Sequence, residues 1–167
     1  MITAYRRATE FLDRVPDVAL LLVRLVLGLL FIDHGLQKYQ AGRAGFEGFL
    51  RSLKNIPTPE LLSYVVPALE LFGGIALIAG LLTRVIAVLL AGEMVVTGFV
   101  VKAIDLHQPL VSQQSAGVEL DLAYLVLLVT VLLLGPGRAS LDRVIGLEQG
   151  RKLRSDVKEP YRKEVGA

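Results

Sequence analysis

The stretch Val18 to Tyr39 constrains this chain most. It is apolar enough to cross a bilayer, yet Arg24 lies in its middle and Asp33, His34 and Lys38 towards its far end. A charge at the bilayer centre costs roughly 2.5–3.5 kcal/mol on insertion scales. The twelve Leu, Ile, Val and Phe residues from Val18 to Ile32 return about 0.3–0.6 kcal/mol each. Their sum exceeds the cost of one Arg, so the stretch inserts, and Arg24 requires compensation from elsewhere in the chain.

Three further apolar runs follow, so the 53% hydrophobic content is bunched rather than dispersed. That is the pattern of an integral membrane protein. The spacing predicts an all-α membrane domain over 1–147, with four transmembrane helices at about 17–39, 60–81, 84–103 and 118–134, followed by a charged, disordered cytoplasmic tail over 148–167. Short interfacial helices are expected at 3–14, around Phe46, Phe49, Leu50 and Leu53, and after Ser140, a suitable N-cap. Pro67 is expected to kink the second span or open a hydrogen bond in it. Gly73, Gly74 and Gly80 offer small surfaces for close helix packing. The first apolar run reads as a retained anchor, being longer than a signal-peptide core and lacking a small-residue cleavage site.

Charge and composition remove several function classes. A net charge of +2 gives no basis for nucleic-acid binding. The chain has no cysteine, which excludes disulfide scaffolds, thiol relays within the chain and Cys-ligated metal. Two histidines, His34 and His107, form no metal-ligand pattern, so no metal is expected. Arg6, Arg7, Arg14, Arg84 and the C-terminal basic residues total twelve on one side, against five on the other. The positive-inside rule then places both termini of this multi-pass chain in the cytoplasm and loops 40–60 and 104–117 outside.

The candidate site residues are the polar groups inside the spans. At about 1.5 Å rise per residue, Arg24, Glu70 and Glu93 share a depth band near mid-membrane. One cation between two carboxylates is an arrangement that buried charges adopt, so these three are expected to form an inner cluster fixing spans one, two and three. The inward stripes are expected to be Arg24, Gly28, Phe31, Gly35 and Lys38 on span one; Ser63, Pro67, Glu70, Gly74 and Leu77 on span two; and Glu119, Ala123, Val126 and Thr130 on span four. His34, Glu119 and Lys38 would form a second, outer-mouth cluster. The inner layer reads as structural pairing that fixes helix register or as a functional site, the outer layer as a solvated polar rim or as a site, and no catalytic set is named by the residues.

Three motifs taken together, HGLQKY at 34–39, ELFGGIALIAGLLTR at 70–84 and LLLGPGRASLDR at 132–143, resemble the DoxX family of small bacterial inner-membrane proteins. The resemblance implies a four-helix membrane bundle with cytoplasmic termini. It also implies a connection to sulfur metabolism, or to thiol-oxidative stress through complexes with soluble enzymes, since the family is named for similarity to a subunit of thiosulfate:quinone oxidoreductase. Its family-like positions here are His34, Gly35, Lys38, Glu70, Gly73, Gly74, Gly80, Thr83, Arg84, Gly135, Gly137 and Asp142. Three functions follow as expectations. The first is the membrane subunit of a redox complex, itself without a redox centre and quinone-linked, with His34 or Glu119 exchanging protons. The second is a non-catalytic scaffold or assembly factor, and the third a small-molecule or proton-linked transporter. The expected partners are membrane lipid, a redox enzyme and a second copy of the chain.

Overall fold

The computed structural model describes residues 16–112 and 117–148. The surface helix expected at 3–14 and the tail expected beyond 148 lie outside the described residues. Among the described residues all regular structure is helical. Helix α1 spans Pro16–Gln40, α2 Arg43–Ser52, α3 Pro59–Ala79 and α4 Thr83–Val95. The chain continues from α4 without a break into a π-helical segment, Val96–Asp105. Then follow α5, Val118–Leu134, and the one-turn α6, Leu141–Val144.

Three stretches are long and apolar enough to cross a membrane: Asp17–Gln40, Pro59–Ala79 and Thr83–Asp105. Their outer surfaces are those of a membrane protein. Along α1, Val18, Leu22, Val26 and Leu29 recur at helical spacing and are each more than half exposed, a face that only lipid would cover. Helix α5 has 17 residues and packs mainly against α4. The opposite faces meet in one core of Leu27, Phe31, Leu77, Leu90, Met94, Tyr124, Leu128 and Val131.

The bundle is built from two tightly packed pairs, α1 with α3 and α4 with α5. In the first pair, glycine sets the separation. A Cβ on Gly74 would stand 2.5 Å from the Gly28 carbonyl oxygen, and one on Gly35 would stand 2.9 Å from the Leu71 nitrogen. The backbones therefore touch, as small residues in membrane helices permit. Contacts of residue 28 with 74 and of 35 with 67 and 71 run in opposite senses, so the helices are antiparallel. Pro67 lies inside α3, which continues through it from Pro59 to Ala79.

At the end of the bundle where α1 begins, α3 stops in a Schellman turn. Gly80 is left-handed (φ 68°), its N–H donates to Leu77 O at 3.2 Å, and Leu81 N–H donates to Ala76 O at 2.9 Å, the pattern in which glycine closes a helix. Ser140 Oγ accepts from Arg143 N–H at 3.4 Å and caps α6 as expected. At the opposite end, α2 buries Leu50 and Leu53 against Val101, with Phe46 beside them and Phe49 outward.

Candidate functional site

Arg24 is nearly inaccessible, at 1% exposure, but it does not join Glu70 and Glu93. Its Nε donates to Leu77 O at 2.9 Å, Nη2 to Ile78 O at 3.0 Å, and Nη1 to Ala139 O at 3.1 Å and to Pro136 O. Leu77 and Ile78 belong to the last turn of α3, whose carbonyls lack partners within the helix and carry the negative end of its dipole. Asp142 supplies the nearest countercharge. Its carboxylate accepts from Leu82 N–H at 2.6 Å and Thr83 N–H at 2.8 Å, covering the start of α4. Each charge thus sits at the helix end of opposite sign.

The expected inner layer is corrected by the helix register. Antiparallel contact through Gly28 and Gly74 sets Arg24 opposite Ile78, about two turns of α3 below Glu70. The same register brings Lys38, from the other end of α1, to Glu70. Lys38 Nζ contacts both carboxylate oxygens of Glu70, which is 1% exposed, while the lysine side chain remains one-quarter exposed. Lys38 therefore leaves the expected outer group. His34 packs edge-on against the Tyr124 ring, centroids 6.0 Å apart. Glu119 accepts from Ser112 N–H at 3.3 Å and closes the loop before α5. The outer trio does not form a cluster.

Glu93 on α4 lies within electrostatic reach of Glu70, Lys38 and Asp121. Asp121 on α5, 5% exposed, pairs with Lys102 at 2.7 Å. Lys102 also donates to Gly117 O at 3.2 Å. The result is a group of five ionisable side chains, the pairs Lys38–Glu70 and Lys102–Asp121 with Glu93 within electrostatic reach of both, drawn from α1, α3, α4, α5 and the π segment.

Asp121 escapes the sequence reading because the expected stripe of α5 is set on the wrong face. The buried residues are Val118, Asp121, Tyr124, Leu128 and Val131, whereas Ala123 and Val126 are exposed. The spacing of Asp121 and Tyr124 with the apolar residues that follow is the available signal. Lys102 escapes for another reason. At 100° per residue it lies half a turn away from Glu93 on an α-helix. The π segment turns less per residue, marked by Leu106 N–H donating to Val101 O at 2.9 Å, five residues back. It delivers Lys102 to the inward face. Wide turns of this kind are rare and concentrate at functional sites. Gly98, in the same segment, admits Asp121, whose Cβ would lie 3.1 Å from a Cβ placed there.

The inward stripes of α1 and α3 are as expected. Ser63, Pro67, Glu70, Gly74 and Leu77 are all buried on α3, and Arg24, Gly28, Phe31 and Gly35 on α1. Lys38, His34 and Tyr124 are the hydrogen-bond donors grouped around the carboxyls, and they could hold an acceptor ligand such as a quinone carbonyl. The arrangement can bind, store and pass a proton in a setting from which bulk water is largely removed.

Comparison with known proteins agrees with a membrane bundle. A stretch of 75 residues is 39% identical to "Putative oxidoreductase CatD" of Bacillus subtilis, covering 45% of this chain and 53% of that protein. The match thus spans only about half of that relative's length. Inner membrane protein YqjF of Escherichia coli is 27% identical over 134 residues, 80% of this chain and 97% of the relative. Uncharacterized membrane protein Rv3486 of Mycobacterium tuberculosis is 34% identical over 135 residues, 72% of this chain and 77% of the relative. No solved structure matches significantly. With the DoxX family model matching residues 19–103, more than half of its length, the chain is a membrane protein belonging to the DoxX family.

Proposed function

We propose that this protein is the membrane subunit of a quinone-linked redox complex, in which Lys38, Glu70, Glu93, Asp121 and Lys102 handle protons while a soluble enzyme supplies electrons. The observation that carries this reading is the gathering of five ionisable side chains from five helical segments, two ion pairs and Glu93 within electrostatic reach of both, inside an apolar bundle. Intramembrane carboxyls are costly, and where they occur they mark functional sites, proton relays among them. The oxidoreductase name of one relative supports the redox association. Thiol chemistry falls to the partner, since the chain has no cysteine.

A bound quinone supplies the capacity to accept two electrons and two protons, becoming a quinol. The residues fit such a group. Lys38, His34 and Tyr124 offer donors to its carbonyl oxygens, and Glu93 has a buried carboxyl oxygen without a hydrogen-bond partner among the described residues. Lys38 is the most accessible of these groups beside Glu70 and connects the buried carboxyls to the end of the bundle near α2. In this reading α5 is the fourth span; its 17 residues measure about 26 Å, close to the thickness of the hydrocarbon core. Both termini face the cytoplasm, and α2 lies at the outer surface.

The test is purification of the native complex from membranes, followed by reduction of a short-chain ubiquinone by the bound enzyme. Glu70→Gln is expected to lower the rate about a hundredfold with assembly intact. An assembled complex that retains full quinone reductase activity with both Lys38→Met and Glu70→Gln would remove the group from the mechanism.

A further inference from the structure

We propose that Glu93 is the proton-carrying carboxyl of this bundle, held as a neutral acid between the Lys38–Glu70 and Lys102–Asp121 ion pairs and able to release and rebind one proton. The inference deepens the reading above and rests on the same group of residues, but its argument is one of charge and contact. Lys38 from α1 faces Glu70 from α3, and Lys102 from the π segment faces Asp121 from α5. His34 and Tyr124 are the remaining titratable groups near this level, packed on each other. Two cations thus meet three carboxyls, and a fully ionised group would leave an uncompensated negative charge inside an apolar bundle, a strongly disfavoured state.

Glu93 is the carboxyl left without a cation of its own. Its Oε2 is buried with no hydrogen-bond partner among the described residues, which suits a neutral acid far better than a carboxylate. One bound proton therefore balances the group, and its departure leaves the site with one negative charge. Glu93 lies within electrostatic reach of Lys38 and Glu70 on one side and of Asp121 on the other.

Infrared spectroscopy of the full chain in liposomes, without quinone or partner, tests the proposal at neutral pH. The carbonyl band of an undissociated carboxylic acid is expected in the native protein, shifting in heavy water and absent from Glu93→Gln. Lys38→Met should strengthen it, because Glu70 would then also hold a proton. As a check that needs no variant, a hydrophobic carbodiimide, which attacks protonated carboxyls, should modify Glu93 in the native chain, as mapped by mass spectrometry. An acid band that is missing, or that survives unchanged in folded Glu93→Gln, overturns the proposal; if that variant does not fold, absence of a Glu93 adduct overturns it. A neutral Glu93 without quinone turnover would sink only the function proposed above, and an ionised Glu93 in a working complex only this inference.

Discussion

Arg24 and Lys38 show how differently two cations on one helix can be compensated. Arg24 gives its planar fork to four backbone carbonyls at the end of α3 and in the segment 136–139. Lys38 gives a compact charge to one carboxylate. Guanidinium geometry suits the first task, since its donors point in several fixed directions in one plane. Arg24→Met removes the donors and leaves buried carbonyls unpaired, so unfolding in detergent should become easier by about 1–3 kcal/mol. Arg24→Lys should recover only part of that loss. Because Arg24 lies about two turns of α3 from Glu70, neither variant should alter the acid band expected from Glu93. Equal thermal stability of native protein and Arg24→Met would contradict the assigned role.

Helix packing explains why neighbouring glycines are unequal. Gly74 faces the Gly28 carbonyl at a distance that admits no Cβ, whereas a Cβ on Gly73 would meet Leu90 and Ile86 side chains at 3.4–3.5 Å, ordinary contact. Gly74→Val should force α1 and α3 apart at a cost of about 1–3 kcal/mol, while Gly73→Ala should be nearly neutral. Thermal unfolding of the two variants side by side decides the point. The π segment sets a second close approach, Gly98 against Asp121. A double-mutant cycle on Lys102 and Asp121 should give a coupling of about 0.6–1.7 kcal/mol, and this coupling should fall in a Gly98→Val background. An unchanged coupling there would mean that the close approach does not position Asp121.

For the whole molecule, the orientation proposed from the charge count can be measured directly. Lys54, just beyond α2, and Leu147, beyond α6, lie at opposite ends of the bundle and are exposed. The chain has no cysteine, so single substitutions at these positions report without background. A membrane-impermeant maleimide should label Lys54→Cys on intact spheroplasts and Leu147→Cys only after permeabilisation. Labelling of both from one side would be incompatible with α5 as a fourth span, and the reverse pattern would invert the charge-based topology.

Much of this arrangement follows from the sequence by itself. Four apolar runs, the cap at Ser140 and the inward stripes of α1 and α3 all rest on local pattern, and hydrophobic burial enforces the helical period helix by helix. The polar residues inside the spans were equally visible. Their partners were not, because partnership depends on the vertical offset between helices, which no helix encodes alone. Backbone contact at Gly28, Gly35 and Gly74 fixed that offset, sending Arg24 to a helix end and Lys38 to Glu70. A rewound segment then turned Lys102 towards Asp121, against the rotation that an ordinary α-helix would have given it.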